Sequence, residues 1–210
     1  MIPLDVVRNV ARELDEAGVP SPRVDAEHLV AHVLGLSRSQ LYASDVAFDQ
    51  EQDSKLRTLV QRRVRREPLA YVLGEWGFRR LVLAVDRRAL IPRPETEVVV
   101  ERCLALLGDL DEPRVLDVGA GSGAIALAIA DEHPGAHVVA VDRAEDALAL
   151  ARVNLDRTGV NERVKLVHGH LLAGVEGPFD LVVSNPPYVL PDEFESLQPE
   201  ISLYEPKDAL

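Results

Sequence analysis

Asn185-Pro186-Pro187-Tyr188 places a side-chain amide, two prolines and an aromatic ring in four consecutive residues. Each proline restricts the residue before it to extended backbone and lacks an N–H of its own, so the loop is stiff and rich in acceptors. An –NH2 group has two hydrogens, which the Asn185 side-chain oxygen and the Pro186 carbonyl can accept while the Tyr188 ring covers its flat face. The nitrogen of an amide or aromatic amine is barely nucleophilic because its lone pair is delocalised. During attack it becomes cationic and its N–H bonds become stronger donors, so acceptors help the transition state most. Taken alone, the same four residues are also a proline-stiffened turn after a strand.

Gly119-Ala120-Gly121-Ser122-Gly123 is a second candidate, a loop whose bare backbone lets a ligand approach a helix N-terminus. Read through Ala124 it fits G-x-G-x-x-A, a spacing shared by dinucleotide and S-adenosylmethionine sites. Asp117, two residues earlier, would repel a pyrophosphate but suits a ligand bearing an ammonium and a sulfonium. This favours S-adenosylmethionine, with S-adenosylhomocysteine as product, over NAD. Asp142, 23 residues after Gly119, can accept hydrogen bonds from both ribose hydroxyls; its competing role is to cap the helix from Ala144. Methyl transfer needs nitrogen, carbon and sulfur aligned, which two ligands held side by side supply by proximity. It requires neither a metal nor a covalent nucleophile. His28 and His32 have a metal-ligand spacing but no third ligand, and the single cysteine, Cys103, reads as a small buried hydrophobe.

The elements around these residues fall into two styles. From Pro3 to about Leu73 the apolar period is helical, with Gly18, Gly35 and Pro68 as stops, a cap expected at Ser21 and at Ser37, and a capping box at Asp49 and Gln52. Residues 1–73 therefore read as a small helical bundle, and 74–91 as a β-hairpin connector turning at Arg79-Arg80. Residues 92–210 alternate helix and strand: helices 95–107, 123–131 and 144–157, strands 114–118, 137–141, 164–167 and 180–184. Apolar strands separated by helices imply a doubly wound, mainly parallel α/β sheet of the Rossmann-like kind. The glycine loop and Asn185 then emerge from the same edge of it.

Charge narrows the function classes. Residues 1–90 hold 14 Lys and Arg against 13 Asp and Glu, residues 91–210 hold 9 against 22, and the chain totals −12. The second part should repel a nucleic-acid backbone. The run Lys55, Arg57, Arg62, Arg63, Arg65, Arg66 is a weak docking hint beside the commoner reading of a solvated helix face. No stretch reads as a secretory signal or membrane span, which makes a cytoplasmic enzyme the expectation.

These motifs, with Ile91-Pro92-Arg93-Pro94-Glu95-Thr96-Glu97 before them and Tyr204-Glu205-Pro206 after, closely resemble the HemK/PrmC family of release-factor glutamine N5-methyltransferases. The resemblance implies that the helical domain docks class 1 peptide chain release factors and that the second domain methylates the glutamine of their Gly-Gly-Gln motif. By position it implies that Gly119, Ala120, Gly121, Ser122, Gly123, Asp142 and Asn185 contact the cofactor, and that Asp117 faces its methionine end. Asn185, Pro186, Pro187 and Tyr188 would hold the glutamine. His170 stands where the family has an acid for the adenine amino group. The resemblance also implies further strands beyond Leu210, so the chain reads as a C-terminally truncated, poorly active fragment whose strand 180–184 is an uncovered edge. Alternatives of the same chemistry are a ribosomal-protein glutamine methyltransferase and an adenine-N6 methyltransferase on DNA or RNA. A cofactor-binding protein without turnover is the non-enzyme alternative.

Overall fold

Proline at the first helical position costs no hydrogen bond, because that N–H has no intrahelical partner, and both α1 (Pro3–Glu16) and α2 (Pro22–Leu34) begin on one. The computed structural model describes residues 3–190 and 192–210. Ser21 precedes α2 as expected but its side chain makes no cap; Pro22 alone sets the start. Gly35, at φ 65°, ends the helix in the left-handed conformation that favours glycine. Ser37 and Gln40 form a capping box on α3 (Arg38–Tyr42), and Asp49 and Gln52 form another on α4 (Gln50–Val64). A short α5 (Leu69–Leu73) follows Pro68. Val7, Val10 and Leu14 of α1 close with Leu29 and Val30 of α2 and Leu56, Leu59 and Val60 of α4 into one core.

Half of the basic run is drawn into this unit. Arg63 is buried and bonds Asp25 and Glu200, Arg66 grips Glu200 with both sides of its fork, and Arg62 binds Glu67 and the carbonyls of Tyr71 and Val72. Arg57 pairs with Asp53 on the helix surface. The run is therefore divided: Lys55, Arg57 and Arg65 are exposed, as a solvated face requires, whereas Arg62, Arg63 and Arg66 are counterions to acids of the same unit. Glu200 lies in the short α9 (Pro199–Ser202), and Gln198–Tyr204 clusters with residues up to Leu73 as one compact unit. Gly74–Leu197 and Glu205–Leu210 make the other. Glu27 of α2 is a further buried acid. Burial works to raise its pKa, but hydrogen bonds from Tyr42, Arg38 and Arg23 outweigh it and hold the carboxyl below its ordinary value.

In the second unit β1 (Glu75–Phe78) and β2 (Leu81–Ala84) pair antiparallel around Arg79-Arg80. Arg79 adopts φ 54°, held by a hydrogen bond from its N–H to Glu97 and a forked ion pair with Glu132. There follow α6 (Pro94–Leu107), β3 (Arg114–Val118), α7 (Ala124–Glu132), β4 (His137–Asp142), α8 (Glu145–Thr158), β5 (Val164–His168) and β6 (Leu181–Ser184). The strands lie in the order β5-β4-β3-β6, all parallel, so the chain winds outward from β3 in one direction and then returns to its other side. Val115, Val138, Ala140, Val164 and Val183 pack against Val100, Cys103 and Leu107 of α6 and the almost wholly apolar α7. Burial also raises the Cys103 thiol pKa, consistent with a core residue. β6 pairs only with β3 among the described strands, and its Val182 is 59% exposed.

Candidate active site

Register decides which side chains can meet. Val118 lies opposite both Val141 and Ser184, and Asp142 lies opposite His168. All four strands therefore end on one edge and release Gly119, Arg143, Gly169 and Asn185 there, at the point where the winding reverses, which is where open α/β sheets bind ligands. Ser184 fastens the last of these ends by donating its hydroxyl to the Val118 carbonyl at 2.7 Å.

The loop after β3 needs its glycines for conformation. Gly119, Gly121 and Gly123 have φ of 77°, 56° and 83°, values that L side chains rarely adopt. A Cβ on Gly123 would also stand 3.2 Å from Leu127 Cδ1. The amides of Gly119 and Ala120 donate to the Val141 carbonyl, Gly123 to Ala120, and Gly121 to Asp142 Oδ2. A phosphate-cradling loop needs those N–H groups free; here they are occupied within the protein. Ala120 and Ser122 are buried, and the Ser122 carbonyl accepts from Asn154 of α8, whose amide also exchanges two hydrogen bonds with Ala84 of β2.

Asp142 accepts from Gly121 N–H with Oδ2 and from Ala144 N–H with Oδ1, at 2.8 and 2.9 Å. One carboxylate thus holds the glycine loop and the Ala144 backbone just before α8 while lining the cavity beneath them; the expected cap is not made, since α8 has no side-chain cap. Asp117 lies elsewhere. It is 1% exposed, does not line the cavity, and accepts from Ala126 N–H inside α7 with Oδ2, leaving Oδ1 without a partner among the described residues. Burial pushes its pKa up to about 7; the Ala126 bond opposes this and the charge of Asp142 adds to it.

The cavity measures about 310 Å³, runs along the strand ends from Gly169 and His170 to Asn185, Pro186 and Pro187, and is walled opposite by residues 88–93 and Thr96. Asn185 is half-buried and its side chain makes no hydrogen bond to any described residue. Tyr188 is 72% exposed and stands outside the cavity wall. The structure thus brings Gly119–Ser122, Asp142, His170, Asn185, Pro186 and Pro187 together, and leaves Asp117, Gly123 and Tyr188 off the wall. A larger depression of about 600 Å³ opens at the opposite strand ends beside Arg114, His137 and Lys165. None of the expected site residues reaches it. No group of three or more His, Cys, Asp or Glu converges to hold a metal among the described residues, and none of their helices is long and apolar enough to cross a membrane.

A buried acid behind the wall ties its two flanking segments together. Glu205, its side chain 1% exposed, accepts from Ile91 N–H and from the Arg93 guanidinium. It thereby joins Tyr204-Glu205-Pro206 to Ile91-Pro92-Arg93-Pro94, the two flanking motifs of the sequence. The volume and the lone pairs that Asp142 keeps for a ligand fit an adenosine ligand, as S-adenosylmethionine is.

This fold and this edge define the class: the chain is of the S-adenosylmethionine-dependent methyltransferases. The methyltransferase small domain family matches residues 99–197, and the PrmC N-terminal domain family matches residues 5–74. A release factor glutamine methyltransferase of Chlorobaculum tepidum is 43% identical over 93% of this chain and 70% of its own length. One from Deinococcus radiodurans is 42% identical over 98% and 76%, and one from Fusobacterium nucleatum 39% over 99% and 59%. The chain belongs to the release factor glutamine methyltransferase family, and it spans between about six and eight tenths of the length of these relatives.

Proposed function

We propose that this chain binds S-adenosylmethionine along the β3–β4–β5 strand ends and presents Asn185 to a glutamine side chain, within a protein that methylates the amide of the Gly-Gly-Gln glutamine in class 1 release factors. The observation that carries this is Asn185 itself: an unengaged amide on a proline-stiffened loop, at the same edge and level as the glycine loop and Asp142. The names of the relatives support the substrate. The cofactor supplies an electrophilic methyl group. The protein's own part is to accept both amide hydrogens, through Asn185 Oδ1 and the Pro186 carbonyl, as the nitrogen gains positive charge. Tyr188, outside the wall, is free to close over the flat face of the bound amide. S-adenosylhomocysteine is the product, and no metal takes part. A cytoplasmic location follows from the substrate. The helical unit serves as the docking module for the release factor, on a surface other than the internally paired arginines of α4.

Adenine-N6 methylation needs the same acceptors, but the 22 acidic against 9 basic residues of 91–210 oppose a nucleic-acid backbone. The test incubates the protein with cofactor and either purified release factor or an adenine-containing oligonucleotide, and locates the added methyl by mass spectrometry. Methyl on the release-factor glutamine is expected. Methyl on the oligonucleotide alone, or on a ribosomal-protein glutamine alone, overturns the assignment.

A further inference from the structure

The depression of about 600 Å³ at the N-terminal ends of β3, β4 and β5 carries a charge pattern opposite to that of the sequence around it. Arg114, Arg152, Arg163 and Lys165 line it, four of the nine Lys and Arg of residues 91–210, against only Glu112 and Glu162 of their 22 Asp and Glu. Elsewhere in this unit Arg79, Arg88, Arg93 and Arg143 each face a carboxylate, those of Glu132, Asp86, Glu205 and Asp208. The four cations of the depression make no ion pair among the described residues.

Two of them are nonetheless held in place. Arg163 donates to the carbonyls of Ala130 and His133 at the end of α7. Arg114 lies over the Phe179 ring, 5.1 Å from its centre, and donates to the Glu176 carbonyl at 3.1 Å, while Asp180 accepts only its backbone N–H. Carbonyls and a ring fix a guanidinium without neutralising it, so its charge stays available to a ligand. Arg152 and Lys165 are exposed beside them. A solvated face accounts for exposed cations, but not for two that are positioned and left uncompensated.

The lining also says what kind of anion fits. Val139 of β4 and Leu166 of β5 are half-buried between the cations, so a matching ligand brings apolar groups as well as negative charge. No aromatic residue lines the depression, which leaves nucleic-acid bases without a stacking platform. A long polyanion running past the rim would meet a part of the chain in which acids outnumber bases by 22 to 9. A short segment of mixed acidic and apolar side chains meets both demands and stays within the depression.

We propose that this depression is a docking surface for a short acidic and apolar segment of a partner protein, with Arg114 and Arg163 as fixed cations and Arg152 and Lys165 as mobile ones that close on it. It lies at the opposite strand ends from Asp142 and Asn185, so such a partner leaves the cofactor edge open. The proposal does not depend on the methyl-transfer reading, and no covalent step is involved.

The test is fluorescence anisotropy of a labelled octapeptide of alternating Glu and Leu, titrated with the 210-residue chain. Saturable binding is expected, weakening as salt rises. Peptides with Gln in place of Glu, or with Ser in place of Leu, should each bind several-fold more weakly. Reversing two exposed charges together, Arg152→Glu with Lys165→Glu, should lower the affinity by about 10-fold with the melting temperature unchanged. Arg157→Glu, an exposed position of α8 outside the depression, should leave the affinity as it is. Absence of saturable binding, undiminished affinity in the double variant, or an equal loss in Arg157→Glu overturns the docking surface. A uridine octanucleotide that binds as tightly as the peptide overturns it too, and makes the depression a nucleic-acid site.

Discussion

Asn185 and Asp117 both sit at the ends of apolar parallel strands, yet their surroundings give them opposite duties. Asn185 is half-buried with its amide unengaged, so Asn185→Ala removes an acceptor from the developing cation without disturbing the core. Methyl transfer should fall by about 10²–10³-fold, the usual cost of one such group, with thermal stability unchanged. Undiminished transfer in a single-turnover assay would remove Asn185 from the mechanism. Asp117 is buried with a pKa near 7 against an ordinary 3.8. Its folded-state pKa is raised, so its contribution to stability is fully present below about pH 4 and is lost as pH rises through 7. A shift of this size corresponds to roughly 4 kcal/mol across that window. Urea unfolding at pH 5 and pH 8 should show a larger decline for wild type than for Asp117→Asn; equal declines would contradict the assignment. Spacing points to Asn185, Asp142 and the glycine loop, and the structure brings Asn185, Asp142, Gly119 and Gly121 to one cavity wall while Gly123 stays off it. Glu205 stands in the Tyr204-Glu205-Pro206 motif, but its pairing is not legible there, since its partners Ile91 and Arg93 lie more than a hundred positions earlier. Nor does sequence distinguish a carboxylate facing a cavity from one sealed beneath it, which is why Asp117 was expected at the cofactor.

Elements were legible where a local signal had no rival. The cap at Ser37, the capping box at Asp49, the two-residue hairpin turn and the strand beginning at Arg114 all follow from neighbouring residues, although the reciprocal Gln40 bond that makes Ser37 a full box is shown only by the structure. Ser21 shows the limit: a proline at the next position already fixes the start of α2, and its hydroxyl is not needed. The join between hairpin and sheet was not legible, because it runs through Asn154, a polar residue in a helix that otherwise reads as an ordinary amphipathic one. Asn154 is fully buried and ties both Ala84 and the Ser122 carbonyl. Asn154→Leu leaves three backbone groups unsatisfied and should cost about 3 kcal/mol. Because Ser122 belongs to the glycine loop, the same change should weaken S-adenosylhomocysteine binding several-fold, measured by calorimetry well below the unfolding temperature. Full affinity in a destabilised variant would show that Asn154 holds the fold and not the loop. Gly123→Ala is the complementary test, since its φ of 83° and the approach to Leu127 should together cost ~1–2 kcal/mol.

At the level of the whole molecule, the chain leaves the helical unit at Leu73, builds the α/β unit, and returns to the helical unit over Gln198–Tyr204 before ending in the α/β unit. Charge explains that return. Arg63 is buried in the helical unit and paired with Asp25, and Glu200 supplies a second carboxylate through bonds to both Arg63 and Arg66. Arg63 and Arg66, within the run that reads in sequence as a solvated face or a weak docking hint, thus take a partner more than 130 positions away. Burial works to raise the Glu200 pKa, but the hydrogen bonds from Arg66 and Arg63 outweigh it and leave the carboxyl below its ordinary value. Its stabilising effect is therefore present above the unfolded pKa and lost as pH falls through the folded one. Glu200→Gln keeps the shape but removes the charge facing two guanidinium groups, at a cost of about 2–3 kcal/mol to the helical unit. Hydrogen exchange on the intact chain resolves where that loss falls. Protection should drop in α2 and α4, whose arginine and aspartate the network joins, and remain unchanged in β3 and α7. A uniform loss through both units would mean that Glu200 stabilises the chain as a single body rather than completing the helical one.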